Sequence, residues 1–167
     1  MKYAIDLGHN ISLDGGAVGI KRENDLIMAV GENVIYRLRK AGHQVAECKP
    51  TWASSVNDSL RRRVNTANES RADVAISIHF NAFNRHAHGT EVYAISSRGK
   101  SIAQKVVNEI SSLGFANRGV KSRGFYFLRY TSMPAILIEG CFCDSQRDMN
   151  LFNADKMAEA IVKGLLQ

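Results

Sequence analysis

The sequence has 167 residues, of which 45% are hydrophobic and 23% are charged, and its formal net charge is +6. These values exclude an intrinsically disordered chain, and no apolar run approaches the ~20 residues that a membrane-spanning helix needs. The basic excess favours acidic partners, namely nucleic acid, anionic membrane or acidic wall polymers, without choosing among them.

Short apolar runs alternate with amphipathic stretches in the first half of the chain. Apolar residues at helical spacing predict helices, and short apolar runs predict strands. The predicted order is strand 2–6, helix 23–41, strand 44–48, helix 56–71 and strand 73–80. The last of these strands is almost entirely apolar, which indicates that both of its faces are buried.

The second half continues the alternation. Its predicted order is strand 90–96, helix 100–113, strands 125–129 and 135–139, and helix 154–166. Strands that alternate with helices predict one α/β domain, spanning residues 1–167, around a mostly parallel sheet. The strand predicted at 125–129 is too close to the next one for a helical crossover, so we expect a mixed sheet.

The three cysteines, Cys48, Cys141 and Cys143, are odd in number and match neither a redox pair nor a zinc-ribbon spacing. We expect free buried thiols, which suit folding in a reducing compartment. Residues 1–6 enter a strand directly, without the charged and apolar regions of a signal peptide.

Ionisable side chains follow or end three of the predicted strands. His9 follows the first strand, His79 ends the third and Glu139 ends the last. Open α/β sheets bind ligands at the carboxyl ends of their strands, so these side chains are candidates for one convergent site. Glu23 begins a predicted helix after a glycine-rich loop and is a fourth candidate.

Two histidines and a glutamate, with a position left for water, form a known catalytic zinc set. A second carboxylate then serves as general acid and base. Taken singly, the histidines also fit hydrogen-bonded structural roles, and Glu23 fits a helix N-terminus. Glu139 is harder to explain in that way, because a carboxylate that closes an apolar strand is costly to bury without a partner or a metal.

Seven segments together carry a resemblance to a known family. They are IDLGH (5–9), GGAVG (15–19), ENDL (23–26), RRRVNTAN (61–68), SIHFNA (77–82), GTEVY (89–93) and ILIEGCF (136–142). In their order and approximate spacing, the chain resembles the zinc-dependent N-acetylmuramoyl-L-alanine amidases of the amidase-3 type. It is especially similar to catalytic domains of phage endolysins that act on Gram-positive walls.

The resemblance implies a Zn²⁺ ion held by His9, Glu23 and His79, with Glu139 as the catalytic acid and base. It implies hydrolysis of the amide bond between N-acetylmuramic acid and the L-alanine of the stem peptide. The family fold is a mixed six-stranded sheet flanked by helices. Leu7 departs from the proline common in the family's first motif, which leaves the ligand assignment unchanged because proline ligates nothing.

Further expectations concern other residues of these segments, the partners and the location. Arg63 and Asn68 are expected to support the site rather than react, and Asn81 to orient a ligand or meet substrate. The expected partner is peptidoglycan, with acidic wall polymers in addition, and neither nucleic acid nor membrane; we expect a monomer. We expect synthesis in the cytoplasm without a signal peptide, and action on the wall after release during phage lysis or export by another route.

Three other functions remain open at this stage. A zinc peptidase that acts inside the stem peptide would use the same site chemistry. A wall-binding module without catalysis would be expected to lack a ligand or Glu139. A nucleic-acid-binding domain would need one contiguous cationic face and would lose binding steeply with salt.

Overall fold

The computed structural model describes residues 1–167 and contains six strands in one sheet. The strands are β1 (Lys2–Leu7), β2 (Gln44–Glu47), β3 (Val74–Asn81), β4 (Thr90–Tyr93), β5 (Asn117–Lys121) and β6 (Ala135–Phe142). Their order across the sheet is β2-β1-β3-β6-β4-β5. Four of the five neighbouring pairs of strands are parallel, and the fifth, β4 with β6, is antiparallel. The prediction of a mixed, mostly parallel α/β sheet is therefore confirmed.

Six helices flank this sheet. They are α1 (Glu23–Lys40), α2 (Val56–Ser70), α3 (Ser97–Ser111), α4 (Tyr126–Tyr130), α5 (Gln146–Leu151) and α6 (Ala154–Leu166). None of these helices has both the length and the apolar character needed to cross a membrane. Side-chain oxygens of Ser55, Ser96 and Asn153 accept backbone N–H groups at the starts of α2, α3 and α6, which satisfies donors that a helix leaves free.

The alternation of side chains along the strands divides the core between the two faces of the sheet. Ile5, Ile76 and Ile138 point to the face covered by α1, α3 and α6, where the larger cluster of buried apolar side chains lies. Ala75 and Leu137 point to the opposite face, where α2 and α4 cover a smaller cluster. The small residues on this second face leave room for polar groups near the carboxyl ends of the strands.

The strand predicted at residues 125–129 is wrong, because this segment forms α4. A short apolar run is ambiguous between strand and helix when periodicity alone is used. Here Phe127 and Leu128 are buried against α2 and β6, and the Tyr126 and Tyr130 rings lie one helical turn apart with 4.5 Å between their centres. The antiparallel pair that makes the sheet mixed is instead β4 with β6.

Two elements were not predicted. The edge strand β5 reads NRGVK, which has no alternating apolar pattern, and it includes Gly119 at φ +80°. The short helix α5 reads QRDMNL and is mostly polar, although Asp148 within it is fully buried. Both elements are set by tertiary hydrogen bonding rather than by apolar periodicity.

All three cysteines are buried and free, as expected from the sequence. Burial raises the pKa of Cys48 to about 12 and that of Cys143 to about 11, so both thiols stay protonated at neutral pH. They pack as small apolar side chains.

Candidate metal centre

Three acidic and basic side chains form a row across neighbouring strands on the α2 face of the sheet. In the pairing register His79 of β3 lies opposite Glu139 of β6, and Glu139 lies opposite Glu91 of β4. The register between β3 and β6 shifts immediately after this row, which indicates a bulge. Bulges re-aim side chains and are common beside functional sites.

A buried arginine fixes the loop that carries His9. The Arg63 guanidinium donates to the carbonyl oxygens of Leu7, at 2.5 Å, and of His9, and it pairs with Asp6 at 2.6 Å. His9 and Asn10 both adopt left-handed backbone conformations, with φ of 49° and 56°. This conformation is uncommon for residues other than glycine, so the surrounding contacts must hold it. Arg63 therefore supports the position of His9, as expected.

Close packing also requires a glycine beside the second histidine. A Cβ atom at Gly8 would lie 2.2 Å from the His79 ring, a distance at which one of the two would have to move. Gly8 therefore lets the β1 loop approach the ring, and this approach brings His9 and His79 together, with 4.8 Å between their ring centres.

The structure brings the three predicted ligands together. One carboxylate oxygen of Glu23 lies 3.3 Å from His9 Nε2 and 3.3 Å from His79 Nδ1. One donor atom from each of the three residues lies within 4.8 Å of the others. Backbone N–H groups of Ala17 and Phe80 donate to the Glu23 carboxylate at 2.8 and 3.1 Å and fix its orientation.

The electrostatics of this cluster suit a cation. Burial alone would lower the pKa of His9, but hydrogen bonds to Glu23 and to Asp14, the latter at 2.5 Å, raise it to about 9. Burial opposes the ionisation of Glu23, yet hydrogen bonds from His79, His9 and the Ala17 amide hold its pKa well below its usual range. Two imidazole nitrogens and one carboxylate oxygen form a donor set that suits divalent transition metals.

Glu139 lies beside this cluster but outside the group of converging donor atoms. Its Oε2 atom is buried and has no hydrogen-bond partner. Burial raises the pKa of Glu139 to about 7, with Glu23 and Glu91 adding to the rise and His79 and His9 opposing it. A buried carboxyl without a partner is costly, and such groups are candidates for proton transfer.

An open cleft of about 370 Å³ runs over these groups. Its walls include the four predicted site residues together with Leu60 and Arg63 of α2 and the aromatic side chains of Phe125 and Tyr126. A molecule that enters the cleft would therefore reach the ligand cluster and Glu139, and it would also meet apolar surface.

Glu91 is a buried group of this site that was not singled out from the sequence. It accepts hydrogen bonds from Arg118 at 2.7 Å, from Tyr93 at 2.8 Å and from the Lys121 ammonium. Burial opposes its ionisation, but these donors lower the pKa of Glu91 overall. The sequence offered one signal, namely that Glu91 and Tyr93 are two residues apart on a predicted strand and so share a face. The cationic partners both lie on β5, which was not predicted.

Asp14 was also missed, since it lies in a polar loop with no pattern of its own. The two asparagines of the matched segments have different partners. Asn81 donates to Glu91 at 3.2 Å rather than to His79, and it also lines the cleft. Asn68 donates to the carbonyl of Tyr130 and accepts from the amide of Ser132, which fixes the end of α4 away from the ligands.

An α/β fold whose carboxyl edge carries two imidazoles, a carboxylate and a separate buried carboxyl has the composition of a metal-dependent hydrolase. The family model described as N-acetylmuramoyl-L-alanine amidase matches residues 4–167. The chain belongs to this family.

Relatives and solved structures agree with this membership. The N-acetylmuramoyl-L-alanine amidase LytC of Bacillus subtilis is 32% identical over 96% of this chain, and the endolysin of Bacillus phage SPP1 is 31% identical over 96%. The catalytic domain of the CD27L endolysin targeting Clostridia difficile superposes with a TM-score of 0.91 at 27% identity, covering 99% of this chain and 97% of that one. The amidase AmiC2 of Nostoc punctiforme has a TM-score of 0.88 at 32% identity, with 99% and 95% covered.

The chain spans only part of several curated relatives. It covers 34% of LytC, 61% of the SPP1 endolysin and 47% of an uncharacterized Clostridium perfringens protein that is 35% identical to it. The solved catalytic domains, by contrast, match it over nearly their full length. The shared part is thus the α/β fold that carries the candidate site.

Proposed function

We propose that this chain is a zinc-dependent catalytic domain that hydrolyses the amide bond between N-acetylmuramic acid and L-alanine in peptidoglycan. His9, Glu23 and His79 hold the ion, and Glu139 is the general acid and base. The observation that carries this proposal is the placement of Glu139, a half-buried residue whose Oε2 atom is buried and has no hydrogen-bond partner, beside three converging ligands but outside them.

The donor set suits zinc, as it suits other divalent transition metals, and its three donor atoms lie within 4.8 Å of one another. Two donor atoms that each lie about 2.0–2.1 Å from one ion at a tetrahedral angle are roughly 3.3–3.4 Å apart. Glu23 lies 3.3 Å from the nearest nitrogen of each histidine. When bound, zinc supplies Lewis acidity that polarises a carbonyl group and lowers the pKa of a water molecule.

The ligands are held by groups outside the set. His9 contacts Asp14 through its other ring nitrogen, at 2.5 Å, which fixes the orientation of the ring. Glu23 is oriented by two backbone amides. The ligands are therefore prearranged, and little side-chain entropy remains to be lost on binding an ion.

Glu139 performs the proton transfers in this proposal. It accepts a proton from the water that attacks the lactyl carbonyl and then delivers it to the nitrogen of L-alanine. An amide nitrogen leaves readily only when it is protonated, so one carboxyl group serves both steps. A pKa of about 7 in the structure suits a group that must both accept and donate a proton near neutral pH.

The choice of bond rests on family membership, because a zinc peptidase that cuts inside the stem peptide would use the same site chemistry. Relatives named as amidases cover almost the entire chain. We further propose that acidic wall polymers are secondary partners, that the domain acts as a monomer, and that it reaches the wall after lysis-linked release or by export.

Digestion of purified peptidoglycan by the zinc-loaded protein, followed by mass analysis of the products, tests the bond. The expected products are free stem peptides that begin with L-alanine and glycan strands whose lactyl groups carry free carboxylates. Peptides that remain attached to muramic acid but are shortened would contradict the amidase and identify a peptidase.

A further inference from the structure

A second concave pocket, of about 450 Å³, lies on the side of α2 that faces away from the metal centre. We call it the Trp52 pocket; the residues that matter to its chemistry are Trp52, Arg61, Arg62, Asn65 and Thr66. None of these side chains takes part in the proposed catalysis. The pocket therefore calls for an explanation of its own.

Hydrogen bonds and ion pairs connect the loop that lines the pocket to α2. The Asp58 carboxylate accepts a hydrogen bond from the Ser54 amide and pairs with Arg61 at 2.6 Å and Arg62 at 2.7 Å. Ser55 caps α2 by accepting the Asp58 amide at 3.1 Å. These contacts tie the β2–α2 loop, which carries Trp52, to the first turns of α2.

Trp52 is held in place yet exposed. The residue is 60% exposed, and the Arg62 guanidinium lies over its ring, 5.3 Å from the ring centre. Single exposed rings are common on protein surfaces. Trp52 differs in that it lines a concave pocket together with Asn65 and Thr66, where its ring offers apolar contact area next to polar groups.

The chemistry of the pocket favours a sugar over an anion. The face of an aromatic ring is negative and attracts the weakly positive C–H groups of a pyranose ring. Asn65 and Thr66 offer amide and hydroxyl groups that pair with sugar hydroxyl and N-acetyl groups. Arg61 and Arg62 share the Asp58 carboxylate, which leaves one net positive charge, so the exposed ring and the uncharged amide and hydroxyl groups, rather than the guanidinium groups, set the preference for a sugar.

The position of the pocket connects it to the metal centre. β2 is parallel to β1, so the loop after β2 leaves the sheet at the same edge as His9. Leu60 and Arg63 line the metal cleft, whereas Arg61 and Arg62 line the Trp52 pocket, so α2 separates the two by its own width. A polymer that crosses α2 would contact both.

We infer that the Trp52 pocket is a saccharide subsite that binds the glycan strand of peptidoglycan beyond the muramoyl unit being cleaved. This inference rests on the proposed function for the identity of the polymer. It adds a reason for the enzyme to prefer a glycan chain over a single muramoyl peptide.

Trp52 is the only tryptophan in the chain, so its fluorescence reports directly on this pocket. Soluble, peptide-free glycan oligosaccharides titrated into the zinc-loaded protein should give a saturable change in emission that persists at high salt. Asn65→Ala/Thr66→Ala, which keeps the fluorophore, should weaken the affinity several-fold. The inference would be overturned if glycan caused no change in emission, or if only a phosphate-bearing wall polymer did. It would also be overturned if salt abolished the response, or if the double variant bound glycan as tightly as the wild type.

Kinetics provide the second readout. Trp52→Ala should raise KM about tenfold on multi-disaccharide peptidoglycan fragments, leave kcat unchanged, and have no effect on a single muramoyl peptide. Trp52→Phe should keep most of the activity. The matched control is Tyr36→Ala, because Tyr36 on α1 is 61% exposed beneath Lys40 and lies outside both pockets.

The two proposals fail in different ways. If the wild type hydrolyses both substrates but Trp52→Ala has equal effects on them, the subsite is wrong and the amidase stands. If the wild type hydrolyses neither, the proposed function is wrong, and the fluorescence titration still decides whether the pocket binds glycan.

Discussion

His79 and Glu139 occupy directly opposite positions in the parallel strands β3 and β6. Because paired residues of neighbouring strands point to the same face, the register alone puts a carboxyl group next to a candidate ligand. Both groups sit on central strands of the sheet, in the last paired position before the bulge, rather than on loops. Rigid backbone of this kind holds reacting groups in place more accurately than loops do.

The ligand assignment predicts different fates for zinc in two histidine variants. His79→Ala removes one of three donors and should lose both zinc and activity. His43→Ala is the control, because His43 lies at the opposite edge of the sheet, near the N-terminus, and should keep both. Metal analysis of the purified proteins decides, and a His79→Ala protein with a full complement of zinc would contradict the assignment.

Burial of Glu139 predicts a pH-dependent stability in the metal-free protein. The pKa of Glu139 is about 7 in the fold against an ordinary value of 4.5 for a glutamate, so the folded state favours the protonated form. This contribution is fully present below about pH 4.5 and is lost as the pH rises through 7. A shift of this size corresponds to about 3 kcal/mol at most.

Glu139→Gln removes this pH dependence. The free energy of unfolding of the chelated variant, relative to that of the chelated wild type, should therefore be higher at pH 8 than at pH 5. Urea unfolding at both values measures the difference. Glu159→Gln, at an exposed carboxyl on α6, serves as the control and should show no such trend. Equal differences at the two pH values would mean that Glu139 is ionised in the fold at pH 5.

Glu91 predicts an effect on the pH profile of catalysis. Glu91→Gln removes a negative charge that raises the pKa of Glu139 and leaves Arg118 and Lys121 without their partner. The acid limb of kcat/KM should therefore move to lower pH. Tyr93→Phe removes a hydrogen bond to the same carboxylate without changing the charge, so its limb should stay in place. If the acid limbs of kcat/KM for Glu91→Gln and the wild type coincided, the charge of Glu91 would have no effect on the pKa of Glu139.

The net charge of +6 predicts a salt effect confined to the wall itself. Exposed charges are screened over about 8–10 Å at physiological ionic strength, so activity on whole walls should fall as salt is added. Activity on a small soluble muramoyl peptide should change little, which provides the control. Wall binding that does not respond to salt would remove this role for the basic residues.

The sequence was sufficient to predict the parts of the fold that follow from apolar periodicity. β1, β3 and β6 were predicted because their sequences are short apolar runs, and His9, His79 and Glu139 follow or end the predicted runs. The strand prediction at 125–129 was wrong because a short run rich in aromatic residues fits a strand as well as one helical turn. Only its burial against α2 decides for the helix.

Parts of the site were beyond prediction for a related reason. The cationic partners of Glu91 both lie on β5, an edge strand without an apolar pattern, and they meet Glu91 only once the sheet has formed. Asp14 likewise becomes a partner of His9 only through the conformation of the intervening loop. Periodicity and spacing carry no information about such pairs.

In the proposed mechanism three residues hold the metal ion, and a separate carboxyl group, that of Glu139, transfers the protons. Glu139→Gln preserves the shape of the side chain and removes its proton-transfer capacity, and general acid–base catalysis contributes typically about 10²–10⁴ in rate. The direct test is the rate of amide hydrolysis by Glu139→Gln and wild type at equal, measured zinc content. We predict a loss of at least about a hundredfold with zinc fully retained. Unchanged activity, or a variant unable to hold zinc, would contradict the account.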